Sequence, residues 1–216
     1  MRVIVFGATG MVGQGVLREC LRVPDVTEVL AVGRRRTGQS HPKLRELVHG
    51  DFTDFTPVAG QLTGYDACFF CLGVSSVGMS AEDYRRITYD YTFAAARVLA
   101  EVNPGSTFVY VSGAGTDRDS RRAWAKVKAR TEDDVIALPL RGYALRPGYI
   151  QPMHGVRTKV RWYGWAYAAL SPAYPLIRRL LPKWTTTTEQ LGRAMLALAR
   201  TGAPIRRLEV PDINAL

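Results

Sequence analysis

The chain has little with which to hold a metal or a disulfide framework. Of its 216 residues, three are cysteine (Cys20, Cys68, Cys71) and three are histidine (His41, His49, His154), the histidines far apart in sequence. Histidine–cysteine spacing of the kind a zinc site needs is missing, so no metal is expected. An odd cysteine count argues against a disulfide framework and for a reducing compartment. The CxxC spacing of "CFFC" lies inside an apolar run. On a strand, positions i and i+3 face opposite ways, so these thiols should diverge and be inert. No apolar run approaches the roughly 20 residues of a membrane span. The opening "MRVIVFGATG" lacks the charged start, long apolar centre and cleavage site of a signal peptide. A cytoplasmic protein is therefore expected.

Acidic residues are also unevenly withheld. The net charge is +10, and no Asp or Glu occurs between Asp134 and Glu189, where Arg141, Arg146, Arg157, Lys159, Arg161, Arg178, Arg179 and Lys183 fall. Such a field attracts anions such as phosphorylated ligands or acidic lipid, and nucleic acid is not expected as a partner; the alternative is a solvated basic face. Trp162, Tyr163, Trp165 and Tyr167 interleave with these cations as in interfacial helices, which allows weak contact with an acidic membrane surface. The oligomeric state is left open.

At 47% hydrophobic and 22% charged, the composition is that of a globular protein. Apolar runs ("RVIVFG", "EVLAVG", "RELVHGD", "YDACFFCLG", "STFVYVSGAG", "GYALRPG") alternate with helical segments, among them one over 81–102 capped by Ser80. Strands apolar on both faces and separated by helices predict a doubly wound parallel α/β sheet, of Rossmann type, with a short C-terminal helical lobe. One domain over 1–216 is expected, with 148–204 forming most of the substrate side. "TTTTEQLGRAMLALAR" reads as a threonine-capped helix and "IRRLEV" as a possible last strand.

The first strand runs into Gly7-Ala-Thr9-Gly10-Met11-Val12-Gly13. Glycines between a strand and a helix permit a tight turn, close approach of a pyrophosphate, and packing of the helix on the strand; the helix N-terminus then holds phosphate through free N–H groups. After the second strand, "AVGRRR" supplies Arg34 and Arg35, and no acid lies between Glu28 and Glu46. An acid there would bind the 2′-hydroxyl of NAD, whereas a guanidinium grips a 2′-phosphate bidentately, so NADP(H) is the expected cofactor.

"GATGMVGQG", with GxxGxxG spacing, resembles the short-chain dehydrogenase/reductase superfamily in its extended or atypical branch, and the resemblance spans essentially the whole chain. "CLG…VSGAG…KVKARTE…ALRPGYI" resembles the oxidoreductases related to the HIV Tat-interacting protein, and bacterial proteins labelled nucleoside-diphosphate-sugar epimerases. The resemblance implies that Asp51 and Phe52 flank the adenine. Leu72 (or Cys71) and Gly73 replace an "NAG" element, and Pro147, Gly148 and Ile150 form the turn at the nicotinamide. It also implies that Ser112 is the catalytic serine and that Lys128 holds the nicotinamide ribose.

The tyrosine that the resemblance requires four residues before that lysine is Trp124 here. An indole donates an N–H but is no acid of useful pKa. Two readings stand: an oxidoreductase or epimerase acting on a small anionic or carbonyl substrate with its acid relocated (Tyr84, Tyr89 and Tyr149 being candidates), or a catalytically silent NADPH-binding sensor or scaffold.

Overall fold

The computed structural model describes residues 1–156, 179 and 181–216. The interfacial aromatics Trp162, Tyr163, Trp165 and Tyr167, and the cations Arg157, Lys159, Arg161 and Arg178, lie outside the described residues.

Strands β1 (Arg2–Phe6), β2 (Glu28–Gly33), β3 (Leu44–Val48), β4 (Ala67–Phe70), β5 (Thr107–Val111), β6 (Arg141–Arg146) and β9 (Arg207–Glu209) form one sheet in the order β3-β2-β1-β4-β5-β6-β9. Every pairing in it is parallel. The two faces read directly off the strand alternation. Val3, Val5, Phe69 and Val109 point to one core, with α1 (Met11–Arg22) and α5 (Thr188–Thr201) over them. Ile4, Phe6, Cys68, Phe70, Phe108 and Tyr110 point to the other, under α3 (Tyr91–Val102) and α4 (Ala123–Ile136). A sheet covered on both sides has no solvent face for polar side chains, which is why its inner strands β1, β2, β4 and β5 are apolar along most of their length, while charges sit on the edge strands β3 and β9. Among the described residues, no helix is long and apolar enough to cross a membrane.

Cys68 faces the second core and Cys71 packs against the first, so the two diverge as the strand geometry requires; all three thiols are free. Burial pushes the Cys20, Cys68 and Cys71 thiols up, away from the reactive thiolate. Under native conditions at pH 8, Ellman's reagent should therefore label these thiols far more slowly than it does in urea. A fast native reaction would show an accessible thiolate.

Two features depart from the sequence reading. The helix over 81–102 is not uniform: α2 (Ala81–Arg85) passes through a π turn at Arg86–Asp90 before α3. Its start is as expected, the Ser80 hydroxyl accepting from Asp83 N at 3.0 Å. The threonine run is part strand: Thr185–Thr187 (β8) pairs in parallel with Tyr149–Gln151 (β7), since β-branched residues suit an extended backbone, and Thr187 then caps α5. Helix α5 lies flat on the sheet, burying Leu191, Met195 and Leu198 against α1. Two glycines make that contact close. A Cβ on Gly15 would stand 2.5 Å from Thr188 Cβ, and one on Gly192 2.8 Å from Glu19 Cγ.

Candidate active site and cofactor cleft

The carboxyl ends of β1, β2, β4, β5 and β6 converge on one edge of the sheet, where ligands of open α/β sheets bind. At β1 the chain turns through Gly7 (φ +74°), with Gly10 N donating to Gly7 O at 2.8 Å. A Cβ on Gly13 would come within 2.1 Å of Gly7 O, and one on Gly7 within 2.8 Å of the Cys71 carbonyl carbon and Leu72 N. The loop thus presses α1 and the end of β4 against bare backbone. Helix α1 begins at Gly10 with no side-chain cap and no acid in its first turn, which leaves its first N–H groups and their dipole for an anionic ligand. Thr9, Met11 and Val12 are half-buried in this turn.

Beside the turn lies a cleft lined by Gly7, Ala8, Thr9, Ala31, Val32, Gly33, Arg35 and Thr37. Of the two arginines singled out from sequence, Arg35 lines this cleft and Arg34 does not, because successive residues leaving a strand point to different sides. Thr37 was not foreseen. Its N–H and hydroxyl both donate to Glu46 Oε1 on β3, at 2.5 and 2.7 Å, and these donors hold the Glu46 carboxyl below its usual range. The loop carrying Arg35 is thereby tied to the sheet. A polar residue two positions after an arginine was the available signal, but its carboxylate partner is nine residues on and could not be inferred.

The adenine pair is placed differently from expectation. Phe52 turns its ring into the core, edge-on to Phe6 at 6.3 Å and Phe55 at 5.5 Å, so the ring does not stand free for a base. Asp51 is exposed, and its carboxylate accepts from Thr53 N and Oγ1 at 2.8 and 2.6 Å. Leu72 joins the glycine turn through its backbone, whereas Gly73 is exposed with nothing against its Cα.

The second half of the site gathers at the end of β5. Ser112 is buried, and its N–H donates to Leu145 O on β6 at 2.8 Å. The Lys128 ammonium donates to Ser112 O at 3.0 Å and lies 5.5 Å over the Tyr110 ring. Ala114 N donates to Pro147 O at 2.9 Å, joining the β5 loop to the turn after β6. Gly148 is required by packing, since a Cβ there would lie 2.6 Å from Trp184 O; Ile150 packs against the first core. Trp124 is half-buried, its indole Cη2 lying 3.6 Å from where a Gly115 Cβ would be.

None of the substitute acids stands ready. Tyr89 donates to Asp134 at 2.6 Å, Tyr149 donates to Gln151 Oε1 at 2.7 Å, and Tyr84 is buried against Thr88 with its phenol raised by burial. Two cations of the acid-free run are engaged in the fold. Arg146 is held by the buried Glu132 and by Glu209, and Arg141 donates to Ala199 O at 3.2 Å.

A cradle that a single Cβ would fill, an uncapped helix start and an acid-free cleft beside them suit a dinucleotide, with its pyrophosphate at Gly7–Gly13. The comparisons agree with this geometry. Residues 7–162 match a family model described as NAD(P)H-binding. Protein FMP52-2, mitochondrial, of Scheffersomyces stipitis is 32% identical over 162 residues, 73% of this chain and 68% of that one. Protein HTATIP2 of Rattus norvegicus is 28% identical over 152 residues, 68% of this chain and 62% of that one. The crystal structure of a short chain dehydrogenase family protein from Francisella tularensis superposes with a TM-score of 0.67 at 13% identity, covering 93% of this chain and 91% of that one. The chain belongs to the NAD(P)H-binding family.

Proposed function

We propose that this protein binds NADP(H) in preference to NAD(H) and uses it in slow oxidation–reduction, or epimerisation, of a small anionic or carbonyl substrate. A bound dihydronicotinamide would supply hydride. The chain's own residues position and protonate: Gly7–Gly13 seats the pyrophosphate, Arg35 faces the 2′-phosphate, and Lys128 holds the ribose. The observation that carries the reading is the meeting of Ser112 and Lys128, Nζ to carbonyl oxygen at 3.0 Å, on the same sheet edge as the glycine cradle.

A second reading has an observation of its own. With an indole against Gly115 in place of a phenol, the protein holds NADPH without turnover and acts as a sensor or scaffold. NADPH oxidation with a carbonyl panel separates the two. A cytoplasmic location belongs to the proposal; several relatives are named as mitochondrial, so cell fractionation decides it.

Cofactor choice is tested by affinity. NADPH should bind at least about tenfold more tightly than NADH, or about 1.4 kcal/mol, the scale of one charge-assisted phosphate contact. Arg35→Ala should remove most of that preference and Arg34→Ala much less, because only Arg35 lines the cleft. Equal affinities in the unaltered protein, measured by titration calorimetry, would refute NADP selectivity.

A further inference from the structure

We propose that Lys128, rather than Ser112 or a relocated tyrosine, is the proton donor of this site, delivering the proton from its ammonium to the oxygen of a bound carbonyl substrate. The inference rests on the oxidoreductase reading above.

The first ground is a count of protons. Thr116 Oγ1 lies 2.7 Å from Gly113 O, and a carbonyl can only accept, so the single hydroxyl proton of Thr116 is committed there. Ser112 Oγ is 3.1 Å from the same Thr116 Oγ1. With the threonine proton engaged, Ser112 must be the donor in that pair. The serine proton is therefore engaged by Thr116, which leaves Ser112 Oγ lone pairs alone to offer a substrate. The second ground is position. Lys128 Nζ sits 3.0 Å from Ser112 O and 4.0 Å from where a Gly113 Cβ would stand. An ammonium carries three N–H bonds, so this contact leaves two others. The third is elimination: the residue one turn earlier is an indole, and the phenols of Tyr89 and Tyr149 donate elsewhere.

The charged and titratable groups around Lys128 support the role. Tyr110 on β5 lies under it, and Glu132 follows one turn later on α4, itself clasped by Arg146 of β6 and Arg207 of β9. Burial lowers the Lys128 ammonium to about 8, with Glu132 working against that fall. In the step, a bound dihydronicotinamide would supply hydride to the carbonyl carbon. The carbonyl π pair moves to oxygen, oxygen takes a proton from Nζ, and the neutral amine is recharged from solvent. One cofactor is oxidised for each carbonyl reduced.

Two measurements test this. With ¹³Cε-lysine labelling, the ligand-free protein should show one lysine, absent in Lys128→Arg, titrating near pH 8. With NADPH and phenanthrenequinone or short aldehydes, kcat/KM should fall above about pH 8 as the donor is lost. Lys128→Arg keeps a cation that does not titrate in this range, so at saturating NADPH it should lose about 100-fold in kcat and the alkaline limb with it. Ser112→Ala should slow turnover yet keep the limb at the same pH. A Lys128 midpoint above 10 overturns the proposal whatever the turnover, as does a limb that survives Lys128→Arg and vanishes in Ser112→Ala. Tight NADPH binding with no turnover on any carbonyl overturns it together with the enzymatic reading. No NADPH binding at all instead refutes the cofactor reading itself.

Discussion

Trp124→Tyr should raise carbonyl reduction by up to about 100-fold, the lower end of what a positioned acid contributes. The side chain at 124 lies one helical turn before Lys128 on α4, so the two share a face. In the natural protein the indole rests against Gly115 on the β5–α4 loop and offers no group that cycles between acid and base. A phenol at the same place would stand beside the Lys128 ammonium, which stabilises phenolate and brings the tyrosine into useful range. An indole is also larger than a phenol, so the change opens space for the substrate carbonyl. The natural protein should accordingly oxidise NADPH slowly with small aldehydes and ketones, although NADPH binds. The measurement is steady-state NADPH oxidation across one carbonyl panel for both proteins. A natural protein that is already fast, and that Trp124→Tyr slows, would mean that the indole is an integral part of a working site. No change in either direction would mean that position 124 does not reach the reacting carbonyl.

Glu132→Ala should destabilise the fold by about 3 kcal/mol, because removing one partner of a buried ion pair leaves the other charge uncompensated. Glu132 is fully buried on α4. Its carboxylate receives Arg146 Nε at 3.0 Å and Nη2 at 2.6 Å, in the two-pronged arrangement that only a guanidinium makes, and Arg207 Nε stands 3.3 Å away. With the carboxylate gone, Arg146 keeps only Glu209, at 3.2 Å on the surface side, and Arg207 keeps Asp133. For a chain of this size the loss corresponds to a fall in Tm of about 6–12 °C. Glu132→Gln, which keeps the shape and one acceptor oxygen, should cost less. Urea unfolding followed by circular dichroism measures both. A Glu132→Ala protein within about 1 kcal/mol of the natural one would place this network among those whose desolvation cancels their attraction.

The Glu132 network also shows why parts of the molecule are legible from sequence and parts are not. Sequence alone determined the alternation of apolar strands and helices, and hence the parallel sheet. A strand buried on both faces must be apolar at every position, and that pattern is local. It likewise determined the glycine turn, since a strand, three glycines spaced three apart and a helix start fall within a dozen residues. Only the tertiary structure decided which side chains stand free. Arg146 reads as one more cation in an acid-free run until Glu132 is brought across from α4. Phe52 reads as an adenine contact until Phe6, Phe55 and Tyr91 enclose it. Helix α5 reads as one more amphipathic helix until Gly15 and Gly192 let it lie against α1. In each case the partner is remote in sequence, and a hydrogen bond or a van der Waals contact depends on separations of a few ångströms that no spacing along the chain encodes.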